Sequence, residues 1–399
     1  MKCLMKNLLK KKTCQFVFLV MFFMLASFIP RTIFAVPSIS SINGTVSNGQ
    51  PVTISGSAFG STGPIIAIFD DFEKGTNNNE LSTLANSAAV NQWYRLENQG
   101  KNPVYSTYYA NSGTKSAMID WGTDNASEGG RWFEADIGSI TSQVYVQYWF
   151  FVPIGGHVPG ANSGGGPNWK LMLISGRPWP RSDYTQVILT DVNNWPMGAW
   201  GFICLTPWYD GSGLTEMTSA IGGYHDEGYC SLNPSAGTWH RMEVFMSASS
   251  TGSGTMYTAE MNANQTRRIV GSSSNATTLH SGDSWNLVRF PAYGRGDSTS
   301  KTYYDDIYIA TGSAAQARVE IGNNSTYSTC TKLAITTPTF WSNTSITTTI
   351  RTGSFKNGDI AYLYVIDANG LVNTQGYPII VGGEGWLAPN PPTGLRLLE

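Results

Sequence analysis

A few cationic and phenolic side chains of this chain lie within or beside apolar segments, where they could act on a bound molecule. Lys170 follows a Gly-rich stretch, Arg241 lies inside the segment 238–246 and Tyr304 lies inside 301–310. A lysine or arginine can neutralise a carboxylate, and a tyrosine, histidine or lysine can then remove or return a proton. What the three side chains can do depends on whether the fold brings them together.

Period-two alternation divides the segment 238–246 between two faces. His240 falls on the face that also carries Met242, Val244 and Met246. Since that face is apolar, we expect His240 to be buried and hydrogen-bonded in a core. We therefore favour a packing role for this histidine over a catalytic one.

Arg241 and Glu243 share the opposite face of the same segment. We expect that face to form an open concave surface, on which the two side chains contact a ligand or simply pair with each other. Lys170 shares its face with Met172 and is expected at a strand end, where its charge can reach solvent or ligand. The prediction is that Lys170, Arg241 and Tyr304 line one open surface.

Aromatic rings and basic side chains also cluster in Gly-, Pro- and Asn-rich stretches, where strands end and the surface begins. A flat ring in such a position can stack on a sugar face while polar neighbours bind its hydroxyl groups. The alternative is that the rings anchor their loops by packing. The candidate ligand-binding residues are Trp169, Arg177, Trp179, Arg181, Trp208, Tyr209 and Glu243, with Trp169 or Trp179 at the rim of the open surface.

Two pairs of acidic residues flank the large middle part of the chain: Asp70 with Asp71, and Asp305 with Asp306. If the strands that carry them are neighbours, the four carboxylates could converge on a calcium ion, which takes about 6–8 oxygen ligands. The alternative, which we favour slightly, is hydrogen bonding to loop backbone. Calcium is the one cofactor that the sequence suggests.

Three of the five cysteines lie beyond residue 35. Cys204 and Cys230 belong to the same region and are predicted to form a disulfide, whose loop of about 25 residues would contribute about 3 kcal/mol in the chain-entropy model. Cys330 is left over and is predicted to be a buried thiol. Because the chain has no Cys-x-x-Cys, we expect neither a thiolate zinc site nor attached haem.

Residues 1–35 have the composition of a secretory signal peptide, with five lysines before the apolar run 16–29. That run is short for a membrane span, which needs about 20 residues; an uncleaved anchor is the alternative. Cleavage after Ala35 removes six basic residues and no acidic one, which changes the formal net charge from −2 to −8. We therefore expect a secreted, extracellular or cell-surface protein that does not bind nucleic acid and does not stay in a membrane.

The composition favours an all-β fold. Charged residues make up 13% of the chain and aromatic residues 12%, with 43 glycines, which is typical of extracellular β-proteins. Many strand-like segments without alternating helices predict a two-sheet sandwich or jelly roll. The clearest segments are 143–153, 169–174, 185–190, 200–205, 238–246 and 301–310.

The two ends of the chain resemble the two halves of an IPT/TIG domain, an immunoglobulin-like module. PSISSINGTVSNGQPVTISGSAFG (37–60) is similar to its opening, and ARVEIGN, FWSNTSITTTI and NGDIAYLYVIDANGLVN, within 317–382, are similar to its second half. The resemblance implies a small Ig-like sandwich interrupted by an inserted domain, whose ends must lie close together. The implied division is a signal peptide at 1–35, a split IPT/TIG-like domain at 37–68 plus 313–383, an inserted jelly roll at 69–312, and a Pro-rich tail at 384–399.

The insert resembles a concanavalin A-like lectin/glucanase jelly roll, in FDDFEKG at its start, GTWHRMEVFM within it and YYDDIYIA near its end. The resemblance implies that its first and last strands lie side by side. Glucanases of this fold carry a Glu-x-Asp-x-Glu strand, with carboxylates about 5 Å apart. We find no such strand, so retaining glucanase activity is not expected.

Polysaccharide lyases of the same fold imply other roles. A cation neutralises the uronate carboxylate and a Tyr, His or Lys removes the C5 proton, roles that would fall to Lys170, Arg241 and Tyr304. Of two lyase motifs, Arg-x-Glu is matched by Arg241-Met242-Glu243 and Gln-x-His is not matched. Three functions stay open: a secreted carbohydrate-binding protein that recognises an extracellular polysaccharide, which we favour; a lyase that cleaves a uronic-acid glycan by β-elimination; and a structural surface or matrix protein.

Overall fold

A computed structural model describes residues 35–98, 102–121, 131–154, 169–176, 185–191, 200–207, 214, 236–262, 264–291, 293–294 and 301–384. At 97–98, 169, 185–191, 200–207 and 293–294 the description covers the backbone only. The described residues form 23 strands and one 3-10 turn at Tyr327–Thr329, with no α-helix among them. The predicted all-β class is therefore confirmed.

The strands of the middle part build a large sandwich of two antiparallel sheets. The eight-stranded sheet has the order β14-β13-β12-β8-β17-β6-β5, with β3 also paired to β17; the seven-stranded sheet has the order β11-β10-β9-β15-β7-β4, with β16 also paired to β9. Their bounds are β3 Ile65–Asp70, β4 Arg95–Asn98, β5 Val104–Ser106, β6 Ser116–Asp120, β7 Arg131–Ile140, β8 Gln143–Phe151, β9 Trp169–Ser175, β10 Thr185–Asp191, β11 Trp200–Pro207, β12 His240–Ser247, β13 Gly254–Asn262, β14 Arg268–Ala276, β15 Trp285–Phe290, β16 Tyr293–Gly294 and β17 Lys301–Thr311.

The main core fills the space between these two sheets. Alternate residues of each strand point into it, such as Met242 and Val244 from β12 and Phe133 and Ala135 from β7. Aromatic rings make up much of its volume, with Trp93 packed edge-on to Phe133 at 4.5 Å between ring centroids. The residues between the inward ones point to the outer faces of the sheets.

The first and last strands belong to a small sandwich of two four-stranded sheets, ordered β1-β2-β21-β20 and β19-β18-β22-β23. Val52, Thr53 and Ile54 of β2 pair with Thr348, Thr347 and Ile346 of β21, almost 300 residues later in the chain. The bounds are β1 Ser38–Asn43, β2 Pro51–Ser57, β18 Arg318–Gly322, β19 Leu333–Ile335, β20 Thr337–Trp341, β21 Ser345–Thr349, β22 Ile360–Ile366 and β23 Tyr377–Ile380.

The two sandwiches are packed against each other through one sheet of each. Met261 of β13 packs with Leu333, Tyr364 and Ile366 of the small sandwich. Ile335 in turn joins a buried aromatic cluster on the outer face of the eight-stranded sheet. The small sandwich therefore covers part of that outer face and leaves the seven-stranded sheet on the far side.

The insert begins and ends on neighbouring strands. Ile68 of β3 pairs with Ile309 of β17, and Asp70 pairs with Ile307. The predicted adjacency of these two strands is thus confirmed. The domain boundaries and the IPT/TIG assignment remain predictions. In the described part of the chain no helix is long and apolar enough to cross a membrane.

Candidate functional site

The three side chains predicted to share one open surface do not share one. Tyr304 is fully buried in the main core, and its hydroxyl donates to the Leu171 carbonyl oxygen at 3.1 Å. Arg241 lies on the opposite, outer face of the same eight-stranded sheet. The prediction is wrong because Tyr304 alternates inward, so that a whole sheet separates the two side chains.

Arg241 and Glu243 do lie on the outer face of β12, but that face is covered rather than open. Each is only 1% exposed, and they pair at 3.1 Å. Arg241 also donates to Glu320 of β18 at 2.7 Å, while Arg318 of β18 donates to Glu320 at 2.6 Å. The small sandwich supplies these partners, so the ion-pair alternative is the correct one and the open concave surface is not formed here.

A fifth charge completes this interface cluster, which we define as Arg241, Glu243, Arg267, Arg318 and Glu320. Arg267 donates two hydrogen bonds of 2.8 Å each to the two carboxylate oxygens of Glu243. Although burial opposes ionisation, the surrounding guanidinium groups hold the pKa values of both carboxyls below their usual range. The cluster holds three cations and two anions, and among the described residues none accepts from Nε or Nη1 of Arg241.

Lys170 is turned by a β-bulge that the sequence pattern does not reveal. Between β9 and β10 the register jumps from Met172 to Lys170, which leaves Leu171 unpaired. Leu171 and Met172 both pack in the main core although they are adjacent. Alternation then places Lys170 on the outer face of the seven-stranded sheet, not on the side of Met172 as predicted. Lys170 is 8% exposed there.

Two other predictions are confirmed. His240 is 1% exposed, with its ring against Phe150 at 5.1 Å and its Nδ1 hydrogen-bonded to the Asn262 side chain. Cys330 is a buried free thiol. Both residues are therefore buried, as alternation predicted for His240 and the odd cysteine count for Cys330.

Most of the candidate sugar-stacking residues lie outside the described residues. This holds for Arg177, Trp179, Arg181, Trp208 and Tyr209, and also for Cys230, the signal peptide and residues 385–399 of the tail. Trp169 and Cys204 lie on described strands, but their side chains are not described. The rim of aromatic rings and the disulfide therefore remain predictions.

The four flanking aspartates use their oxygens for hydrogen bonds to nearby groups. Asp305 accepts from the backbone N–H groups of Asn111 and Ser112 at 2.7 and 3.1 Å, and Asp306 accepts from the side chains of the same two residues at 2.8 and 2.7 Å. Asp70 accepts from the indole of Trp93 at 2.8 Å. Among the described residues no three acidic, histidine or cysteine side chains are grouped to hold a metal. These surroundings fit the hydrogen-bonding alternative better than a calcium ion, which stays an untested prediction.

A different group of charged residues occupies the outer face of the seven-stranded sheet. In the register of the strands, Arg95 of β4 and Arg289 of β15 lie on either side of Glu134 of β7. Arg289 donates to Oε2 of Glu134 through Nε at 3.2 Å and Nη2 at 2.9 Å, and Arg95 Nη2 lies 3.5 Å from the same oxygen. The two guanidinium groups thus share one oxygen of a single carboxylate.

Trp132 holds the two arginines in place. The guanidinium carbon of Arg289 lies 3.7 Å from the centre of the Trp132 ring, and that of Arg95 lies 4.8 Å away. Such cation–π contacts contribute about 0.5–2 kcal/mol each, more when the cation is desolvated. Arg289 is buried, whereas the side chain of Arg95 is 45% exposed.

Glu134 is left with one unused oxygen. Its side chain is 1% exposed, yet no described residue donates a hydrogen bond to Oε1. A buried carboxylate oxygen without a donor costs free energy, so among the described residues this atom has unused hydrogen-bonding capacity. Asp136, two residues on, alternates onto the same face and is exposed. We call Arg95, Trp132, Glu134 and Arg289 the Glu134 site.

The Glu134 site was missed in the sequence, although a signal for it exists. The segment 132–137 alternates strictly: Trp132, Glu134 and Asp136 on one side, and Phe133, Ala135 and Ile137 on the other. Alternation alone therefore places an indole and two carboxylates on one sheet face. What it does not give is the pairing of this strand with β4 and β15, which brings in the two arginines.

No family model matches this chain. No curated protein matches it either. Its fold is similar to that of an endo-β-1,4-glucuronan lyase from Trichoderma reesei, at 15% identity and a TM-score of 0.37, covering 57% of this chain and 94% of that one. It is also similar to a PL-14 alginate lyase from Aplysia kurodai, at 13% identity and a TM-score of 0.36, covering 53% of this chain and 87% of that one. A third similar structure is a GH131 β-glucanase catalytic domain from Podospora anserina, at 15% identity and a TM-score of 0.34, covering 62% of this chain and 96% of that one. Similarities of this size do not establish a shared activity.

Proposed function

We propose that this chain is a secreted protein that binds an extracellular polysaccharide at the Glu134 site. The observation that carries the proposal is the unused Oε1 of Glu134 beside two guanidinium groups. A carboxylate oxygen accepts a hydrogen bond and a guanidinium donates one. Neighbouring sugar hydroxyls both donate and accept, so a hydroxyl-rich ligand matches the pair.

The charge of the site favours a sugar that carries a carboxylate. Arg95, Arg289 and Lys170 lie on the outer face of the seven-stranded sheet, and the Arg95 side chain is 45% exposed, so a cation of this face is available to a sugar carboxylate. A cation near a sugar carboxylate has a stronger effect in a water-poor groove than on an open surface. We therefore infer that the ligand contains uronic acid.

Binding measurements with two variants and one control test the proposal. Isothermal titration against alginate, pectate and a neutral glucan should show binding to at least one of the acidic polymers. Glu134→Gln should weaken that binding about ten- to a hundredfold, as expected for loss of a charge-assisted hydrogen bond. Arg95→Ala should also weaken it, without unfolding, because the side chain is half-exposed.

The matched control is Arg268→Ala. Arg268 also pairs with a carboxylate, that of Glu260, and is 50% exposed, but it lies on the eight-stranded sheet. Its loss should leave glycan binding unchanged. Equal affinity of Glu134→Gln, Arg95→Ala and the wild type for every polymer would refute the proposal.

Lyase activity is the second candidate, favoured by the bulge that places Lys170 on the face of Arg289. Arg241 and Tyr304 lie elsewhere and would take no part. If the chain cleaves a polyuronate by β-elimination, the ultraviolet absorbance of the unsaturated product should rise with wild-type protein. Lys170→Ala should then form no product, whereas Arg268→Ala should still form it. If the absorbance does not change with wild-type protein, the lyase candidate is excluded and binding without cleavage is the remaining function.

A further inference from the structure

A second group of aromatic residues lies on the other side of the large sandwich. The outer face of the eight-stranded sheet is covered by the small sandwich near Arg241, but alternation continues past Arg241 to Trp239. Phe151 of β8 and Tyr303 of β17 pair in register at the same end of this face. Together with Tyr108 and Tyr109 of the loop after β5 they form what we call the aromatic patch: Tyr108, Tyr109, Phe151, Trp239 and Tyr303.

The patch has a buried floor and an exposed rim. Phe151 and Tyr303 are 5% and 2% exposed, whereas Tyr109 is 40% exposed and Tyr108 71%. Tyr109 and Trp239 flank Phe151 at centroid distances of 4.6 and 5.2 Å, inclined by only 33° and 34° to its plane. The Tyr109, Phe151 and Trp239 rings are thus neighbours, and Tyr108 precedes Tyr109 in the chain.

The loop that carries the two exposed tyrosines is held firmly. The Thr107 N–H donates to the Asn77 side chain at 3.0 Å, and the Ser116 hydroxyl donates to the Tyr109 carbonyl oxygen at 2.5 Å. The Asp305 carboxylate accepts hydrogen bonds from the backbone N–H groups of Asn111 and Ser112 farther along the loop. Exposed rings on a pre-organised loop lose little conformational entropy on binding, which is the property of a ligand-binding surface.

We propose that the aromatic patch is a second glycan-binding site, which takes the pyranose faces of an uncharged polysaccharide. Sugar faces carry C–H groups that pack on flat rings, and phenol hydroxyls at the rim can bond to sugar hydroxyls. Lys301 and Asp120 lie directly opposite each other at this end of the sheet, so their charges offset. A patch without a cationic surplus gives an anionic polymer no electrostatic attraction, which favours an uncharged one.

The second site rests on the proposed function only in that its ligand is also a polysaccharide. It lies on the opposite sheet of the sandwich from Glu134, so the two sites can be tested separately. Affinity electrophoresis in native gels that contain mixed-linkage β-glucan, galactomannan, arabinoxylan or alginate compares wild type, Tyr108→Ala, Tyr109→Ala and Glu134→Gln. Phe340→Ala is the matched control, because Phe340 is an equally exposed ring, 55%, on the small sandwich.

We expect wild-type protein to be retarded by at least one neutral polymer, with each tyrosine variant about fivefold or more weaker. Phe340→Ala should be retarded like wild type in that gel, and Glu134→Gln is compared only in the alginate gel. The second site would be refuted if no neutral polymer retards the protein, or if the tyrosine variants are retarded as much as wild type. The Glu134 site is tested separately, by retardation in the gel that contains alginate. Tyrosine variants that turn a dimer into a monomer in sedimentation, without a change in retardation, would assign the patch to a second copy instead.

Discussion

Replacing an acid of the interface cluster should destabilise the protein far more than replacing a base. The cluster holds three arginines and two glutamates among the described residues, all of them buried, so one positive charge is in excess. Glu243→Gln would leave three guanidinium groups facing Glu320 alone. Arg241→Met would leave two cations and two anions. It would also remove the Nε and Nη1 donors of Arg241, which have no acceptor among the described residues.

The magnitudes follow from these contacts. Breaking a buried ion pair costs about 3–5 kcal/mol, and Glu243 contacts three arginines, so Glu243→Gln should cost about 5 kcal/mol or more. Arg241→Met loses one charge-assisted hydrogen bond, to Glu320, of about 1.5–3 kcal/mol, and the ion pair with Glu243, but relief of the excess charge offsets part of that loss. We expect a net cost of about 1–2 kcal/mol.

Urea denaturation followed by tryptophan fluorescence and far-ultraviolet circular dichroism measures both costs. The two probes must coincide for the free energies to be compared, since a chain with two sandwiches need not unfold in one step. Lys332→Ala, which breaks a pair with Asp359 in which both side chains are more than a third exposed, serves as the control and should cost less than about 1 kcal/mol. If Arg241→Met proves as damaging as Glu243→Gln, the reasoning from charge balance is wrong.

Lowering the pH from 8 to 5 should raise the Tm in calorimetry. Burial raises the pKa of Asp70 to about 7 and that of Asp306 to about 6. The stability that these groups contribute at about pH 4 is therefore lost as the pH rises through 6 and 7. A Tm that rises from pH 5 to 8 would contradict this prediction. Chelation by EDTA should leave the Tm unchanged, because the flanking aspartates are already hydrogen-bonded; a fall that added calcium reverses would establish the calcium site. In unfolded but unreduced protein, Cys204 and Cys230 should resist alkylation, and mass spectrometry that finds both labelled would exclude the disulfide.

Period-two alternation predicted the faces of β12 correctly. It placed His240 inward and Arg241 and Glu243 outward, as the structure has them. It did not predict what covers the outer face, because Glu320 and Arg318 come from a segment that is about 80 residues away in the chain. An outward side chain is open only if no other element packs on it, and that depends on tertiary contacts.

The candidate site was harder to predict for two physical reasons. The bulge at Leu171 adds one residue to the strand, and it reverses the side of Lys170 without a mark in the sequence pattern. Glu134 is recognisable as outward from its own strand, but its chemistry comes from Arg95 and Arg289 on two other strands. Residues that act together across a sheet are set by register, which a single sequence does not give.

The measurement that tests the central proposal most directly is a crystal structure of the protein with a bound uronic-acid oligosaccharide. The proposal predicts the sugar on the outer face of the seven-stranded sheet, with a hydroxyl oxygen within about 3.2 Å of Glu134 Oε1 and a carboxylate near Arg95 or Lys170. Sugar bound only at another place, with Oε1 of Glu134 left without a donor, would contradict it.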